Sequence, residues 1–479
     1  MATKSARTWA EQEFGRTQLG DIRRTRRLVE MAASAADRPS GKVSVVFDRM
    51  RDREGAYDFL ERGDDAAGVA DGMFRGTARR ARGAKSIFVA IDIASLTLTD
   101  GKKTKGFGPV GSPSAPVYGL MVANALAVSE EGVPLGLIDQ CYWVRGDYMG
   151  GTSEERTRKN LRRPFDDKQG ANFVRAASRS MSRLEESGAK PWFVIDREGD
   201  NREILSVLHL MPCHFTVRGT KNRSLAKSSD EQNVRDSLAR EKPALQQRVE
   251  IARSGARAAR SVTVDVRAKK VTLHFGANPL APSEQLDVHA VLVSEVGAAA
   301  NRTDALNWLL YTNAPIDTKA ALAKVVASYR ARWRVEEFHR TWKQGHCNVE
   351  DAQLRSVEPL VTWAVILAAV ATRIERLKYL SRNTPDAPAS SELDDSEIEA
   401  LKIERRARYE GRNLSLPEMP TIHEATRWIG EMGGWVPTKL GGPPGSITLA
   451  RGIERLAIYV RAMLDVRAEA KKSRKKARR

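Results

Sequence analysis

Residues 86–99 read SIFVAIDIASLTLT, a run of branched and apolar side chains that closes on threonines. Such a run is a β-strand by composition. Residues 117–128 and 135–144 are two further β-rich runs, reached across short glycine-containing turns. A helical stretch at 171–184 follows, and then a short apolar strand, Trp192-Phe193-Val194-Ile195, that runs straight into Asp196. Three strands, a helix and a strand ending in an acid make a mixed α/β sheet. Asp92 lies inside the first strand among Val89, Ile91 and Ile93, where a carboxylate is costly unless something compensates it. Asp196 sits at the carboxyl end of its strand, where α/β sheets place their sites. Taken singly, an isolated aspartate is more often an ordinary turn or capping residue.

Outside this core the period changes. Residues 1–70 read helical and charged, with Asp21 as N-cap of a helix carrying Arg23, Arg24, Arg26 and Arg27. That basic face suits phosphates or simple solvation. Residues 220–300 read as a β-rich insertion, polar at 221–236, with strands at 248–251, 261–266 and 270–274. Strands at 287–293 and 308–312 come next. Helices are expected at 357–380, 424–432 and 448–468, with an exposed linker at 383–395. In the last helix Leu449, Ile453, Leu456, Val460 and Leu464 repeat at helical spacing, for a dimer contact or for packing within the chain. The final KKSRKKARR, residues 471–479, reads as a disordered basic tail.

The chain has 479 residues, enough for two or three domains, and a net charge of +19, with 79 Lys and Arg against 60 acids. Such a surplus calls for a polyanionic partner, nucleic acid before a membrane surface. Cys141, Cys213 and Cys347 are far apart, which argues against a disulfide framework and fits a reduced cytosolic setting. His346 beside Cys347 has no second ligand pair at zinc-site spacing. The opening MATKSARTWAEQEFG lacks an apolar run, so no signal peptide is expected. The most apolar run, 363–370, is too short to span a bilayer and reads as a buried helix.

Residues 329–343 read YRARWRVEEFHRTWK. On one helix, at about 100° per residue, Tyr329, Arg332, Glu336, Arg340 and Lys343 fall within roughly 80° of arc. Val335, Phe338 and Trp342 gather opposite, while Glu337 points about 100° away from Glu336. One carboxylate among a phenol and several bases suits a site that holds metal ions and phosphates together. A solvated face with ion pairs from Glu336 to Arg332 and Arg340 is the competing reading.

Tyr-x2-Arg-x3-Glu-x6-Lys, here Tyr329, Arg332, Glu336 and Lys343, is similar to the Y-R-E-K signature of the insertion-sequence-four family of bacterial DDE transposases. VAID around Asp92 and VIDRE around Asp196 resemble the words that carry that family's two catalytic aspartates, although Ile93 and Ala94 replace its Thr-Thr. WAEQEFG, LGD-x-RRT and EGAYDFL resemble its DNA-end-recognition domain, which implies that Arg24 and Arg27 touch transposon-end DNA. Asp58 is an acid where a relative carries a base, implying a different end sequence. The resemblance further implies an active-site Arg218 on DNA, Trp308 stacked on a flipped base, and a carboxyl-terminal dimerisation region with its Gly433-Gly434-Trp435 turn.

The resemblance thus implies a ribonuclease-H-like catalytic core at 71–375 with a β-rich insertion. Around it stand a helical DNA-end-binding domain at 1–70 and a helical dimerisation domain at 376–479. Asp92, Asp196 and Glu336 would bind metal, two Mg²⁺ or Mn²⁺ ions, for displacement at phosphorus. The implied partners are double-stranded transposon-end DNA, target DNA and a second copy of the chain, with no membrane, in the bacterial cytoplasm on the nucleoid. The implied route is nicking, hairpin formation, hairpin opening and strand transfer. The rivals are a related nuclease or integrase without the hairpin step, and a transposition-inactive DNA-binding protein or inhibitor.

Overall fold

The computed structural model describes residues 2–477 except 63–65, 101–102, 113–114, 147–150, 227–231, 252–259, 298–304, 411–413 and 438–441. Five helices come first: α1 (Lys4–Phe14), α2 (Ile22–Asp37), α3 (Val43–Val46), α4 (Met50–Glu61) and α5 (Ala66–Ala81). Asp21 caps α2 as its sequence position predicts, its carboxylate accepting the Arg23 amide at 2.8 Å. Leu28, Met31, Ala32 and Ala35 then turn inward at helical spacing. A buried Glu13 on α1 receives the Arg80 guanidinium of α5 at 2.6 Å, so the helices are joined by charge as well as by apolar packing.

The middle of the chain builds one ten-stranded mixed sheet. In chain order its elements are β1 (Ser86–Thr97), β2 (Gly108–Ser112), β3 (Ala115–Val128), β4 (Pro134–Trp143), α6 (Ser153–Leu161), α7 (Ala171–Leu184) and β5 (Lys190–Ile195). There follow α8 (Arg202–Leu210), β6 (His214–Gly219), α9 (Val234–Arg240), β7 (Leu245–Ile251), β8 (Arg260–Phe275), β9 (Glu284–Glu295) and β10 (Asn307–Thr312). The order is β2-β3-β1-β5-β6-β10-β9-β8-β7, with β4 also on β3. Among the described strands only β1–β5 and β5–β6 pair in parallel, and helices α7 and α8 lie in the connections that parallel pairing requires. Phe88 and Ala90 of β1 face one core, and Ile87, Val89 and Ile91 face the other. This two-sided burial accounts for the unbroken apolar run of β1.

One local expectation changes, and the structure adds detail around it. The β-rich segment after residue 220 is a continuation of the same sheet, because β9 pairs with β10. The runs 261–266 and 270–274 are one strand, β8, paired with β9 from Val264 to Phe275. Its central Arg267 and Lys269 interrupt the branched apolar pattern in sequence, but they stay in the ladder and bond outward to Glu241. The short β2 and the exposed α6 were not apparent in the sequence.

The last helices are α10 (Lys319–Ala331), α11 (Trp333–Lys343), α12 (Val357–Asn383), α13 (Asp395–Arg408), α14 (Ile422–Met432) and α15 (Ser446–Ala477). By length and composition α12 could cross a membrane, contrary to the shorter run seen in sequence, but 78% of its most apolar window is buried within the fold. It is the central post between the amino-terminal helices and α11. Leu449, Leu456 and Val460 pack into a cluster with α13 and α14, so the periodic stripe is used within the chain. Leu464 remains 39% exposed. The backbone of α15 is helical to Ala477, where a disordered tail was expected; residues 478–479 lie outside the described residues.

Candidate active site

The last register pair of β1 with β5 is Ile91 with Ile195. The next residue on each strand is an aspartate, so Asp92 and Asp196 stand side by side where β5 ends. Asp92 has the same parity as Phe88 and Ala90, which places it on the face covered by α10 and α11. Asp196 caps the short turn after β5, its Oδ1 accepting the Glu198 amide at 2.8 Å.

Residues 329–343 do not form the single helix expected. Helix α10 ends at Ala331 and α11 begins at Trp333, with Arg332 at the joint in helical dihedrals and its amide bonded to the Tyr329 carbonyl. The two halves answer to different floors: α10 packs on β5 and β6, α11 on α12, β1 and β3. The polar face survives the joint. Arg332 Nη1 meets Glu336 Oε1 at 3.1 Å, with Arg332 almost buried and Glu336 over a third exposed. Val335, Phe338 and Trp342 are fully buried, as the opposite arc requires. Arg340 points to solvent. Lys343 Nζ lies 3.6 Å from Glu350 Oε1, which also accepts the Thr97 amide and so ties the end of α11 to the end of β1.

Glu337 turns away from Glu336 into a closed network. Its carboxylate takes Lys378 Nζ at 3.1 Å, the Tyr379 hydroxyl, and Arg334 at 3.5 Å. Lys378 also pairs with the buried Glu375.

The sequence reading overlooked His339, one turn beyond Glu336. It is buried, and its Nδ1 lies 3.4 Å from Asp92 Oδ2. On its other side Nε2 is 2.9 Å from Asn124 Nδ2, and Asn124 Oδ1 accepts Gln140 Nε2 at 2.8 Å. With the amides so oriented Nε2 accepts, and the ring proton lies on Nδ1, facing Asp92. The i, i+3 spacing to Glu336 was a signal in the sequence; the Asn124 and Gln140 partners left none.

Electrostatically the cluster is overcharged. Burial, then Glu336, push the Asp92 carboxyl up to about 8; Arg332 opposes them, and Asp196 adds to the rise. Burial drives His339 down to about 3, so its ring is neutral. Asp92, Glu336 and His339 offer ligand atoms that all lie within 4.8 Å of one another. Hard carboxylate oxygens whose mutual repulsion a divalent cation would relieve fit such an ion well.

Around the acids, Tyr329 is buried and packs edge-on against half-buried Trp308, centroids 5.0 Å apart. Arg218 on β6 stands opposite Leu310, and therefore on the same sheet face as Trp308. Arg24 and Arg27 are elsewhere, on α2, with Arg27 3.6 Å from Glu30. The fold thus gathers eight of the ten sequence-selected residues on one sheet face and leaves two for the amino-terminal helices.

Residues 6–64 match the transposase DNA-binding family, and residues 167–373 match the transposase DDE domain family. Together the matches span more than half of the chain. The first contains Arg24 and Arg27, and the second contains Asp196 and Glu336 but begins after Asp92.

Proposed function

We propose that this chain, which belongs to the DDE transposases, is a cut-and-paste enzyme that nicks transposon ends, forms and opens a hairpin, and joins the 3′ ends to target DNA. The observation that carries this reading is the β1–β5 register, which sets Asp92 beside Asp196 with Glu336 facing them from α11. The run β4-β3-β1-β5-β6, antiparallel through β1 and parallel after it, supports a ribonuclease-H-like core within residues 71–375. The signature residues support membership of the insertion-sequence-four branch, with the words flanking them similar to the Tn-five transposase.

Asp92, Asp196 and Glu336 would hold the divalent ions, two Mg²⁺ or Mn²⁺, and His339 holds Asp92 in place. When bound, such ions supply nucleophile activation and leaving-oxygen stabilisation for displacement at phosphorus. The chain itself positions the DNA. Arg332 braces Glu336, and with Tyr329, Lys343 and Arg218 presents donors to phosphate oxygens. Trp308 offers a ring for one unpaired base. Arg24 and Arg27 meet the transposon end, and a second copy of the chain pairs two ends. Exposed Ile458, Tyr459 and Val466 of α15 suit that pairing better than the inward stripe.

The test is single-turnover cleavage of end DNA with Mg²⁺. Asp92→Asn, Asp196→Asn and Glu336→Gln should each stop nicking while DNA binding persists. A wild-type protein that binds end DNA but never cuts it would make the chain a transposition-inactive DNA-binding protein.

A further inference from the structure

Helix α6 has no buried residue, and every residue from 151 to 164 is exposed. A helix that covers no core needs another reason to be ordered. A capping box supplies the local part: Thr152 Oγ1 accepts the Glu155 amide at 3.2 Å, and Glu155 Oε2 accepts the Thr152 amide at 2.8 Å. This turns Glu155 back on the helix start. At about 100° per residue, Arg156, Arg158, Lys159 and the cap residue Arg162 share roughly 160° of arc, and Arg163 follows at once. The side chains of Arg158, Lys159, Arg162 and Arg163 have no hydrogen-bond or ion-pair partner among the described residues. The face is predominantly cationic, its one acid, Glu155, being engaged at the helix start.

Its position is set at both ends. β4 runs parallel to β1, because each is antiparallel to β3, and Asn124 of β3 stands opposite both Asp92 and Gln140. Strand β4 therefore delivers α6 at the sheet edge that carries the acids. The chain leaves α6 through Phe165, which packs on the core containing α7, across the sheet from the core that holds α1 to α4. DNA gripped by those helices and threaded past Asp92 would emerge toward α6.

We propose that α6 is a second, sequence-blind phosphate contact that takes the duplex beyond the scissile position, on the side away from the amino-terminal helices. The inference rests on the transposase reading above. Its charge complementarity is with the phosphate backbone, since the one amide of the helix, Asn160, falls about 40° outside the arc of Arg156, Arg158, Lys159 and Arg162 and that arc carries no aromatic side chain to read a base edge.

The experiment compares two end duplexes, one stopping at the cleavage position and one running on by about one helical turn, roughly 10 base pairs. Affinity is measured against salt for wild type, Arg158→Ala/Arg162→Ala/Arg163→Ala, and the corresponding Lys triple. On the longer duplex the Ala triple should lower the log–log slope by about 2 to 3, near 0.9 per phosphate neutralised, and the Lys triple should keep it. On the shorter duplex all three proteins should agree, and unchanged melting shows the fold intact. An unchanged slope on the longer duplex, or an equal drop on both, overturns the inference while leaving the transposase reading standing. A wild-type protein that bound neither duplex would overturn both.

Discussion

Asp92→Asn should make the metal-free protein more stable, and more so as pH rises. Asp92 ionises near 3.8 in an ordinary setting and is pushed up to about 8 in the fold, first by burial and then by Glu336. Because the folded pKa is raised, the folded state binds the proton more tightly than the unfolded chain does between those values. Wild-type stability therefore falls as pH climbs through that window, by about 1.4 kcal/mol per pH unit. The full penalty at pH 8 is on the order of 5 kcal/mol. The side chain keeps 16% of its surface in solvent, so relaxation should leave a few kcal/mol of it. Asparagine keeps the shape and has no proton to lose. A cooperative unit of this size shifts by on the order of 1 °C per kcal/mol. Melting curves in EDTA at pH 5, 6.5 and 8 should show Asp92→Asn drawing ahead of wild type by a few degrees at pH 8 and by roughly a third as much at pH 5, close to the ordinary value of 3.8. Glu336→Gln should show a smaller gain, since it removes only one contribution to the shift. Mg²⁺ should raise the wild-type melting point at pH 8 and leave that of Asp92→Asn almost unmoved. Equal melting points at pH 8 in EDTA, or the same gain at both extremes of pH, would refute the picture of an overcharged, destabilised site.

Glu337→Gln should destabilise the fold by about 1–3 kcal/mol, since Lys378 keeps Glu375 but is deprived of its second carboxylate in a buried setting; an unchanged melting curve would count against the network. Arg24→Ala/Arg27→Ala should weaken end-DNA binding and lower its salt slope by about 0.9 for each phosphate that is no longer neutralised, and an unchanged slope would mean that α2 does not lie on DNA. Trp308→Ala should leave first-strand nicking and block hairpin formation, at a small cost in stability because the ring is only half-buried. If nicking and hairpin formation instead fall together with the melting point, Trp308 is a packing residue.

What the sequence made legible was what short-range periodicity and local chemistry determine. Strand β1, helix α7, the Asp21 cap and the apolar arc of Val335, Phe338 and Trp342 all appear where their spacing predicts. The joint at Arg332 was hidden because both sides of it are helical in composition, and only the differing directions of the sheet and α12 call for a break. The unity of β8 was hidden because Arg267-Ala268-Lys269-Lys270 breaks the run of β-branched residues, and only the partner strand β9 carries the ladder through it. Helix α13 carries a complete capping box, Asp394 with Glu397, but its charged composition masked the apolar pair Ile398 and Leu401. His339 was visible as a residue yet silent as a role, since Asn124, Gln140 and Asp92 reach it only through the pairing of β1, β3 and β4.

The two adjacent glutamates of α11 divide their labour in a way that governs motion. A site built on a helix face drifts most cheaply by rotation of that helix about its own axis, which swings every side chain through the same angle. Here any swing that carries Glu336 toward or away from the aspartates must pull Glu337 off Lys378 and Tyr379, where little water can replace them. Glu337, turned away from the acids, thus fixes the azimuth of Glu336, which faces them. On the proposed reading, adjustment to a bent or opened duplex would fall instead to the exposed Arg340 and to the DNA itself.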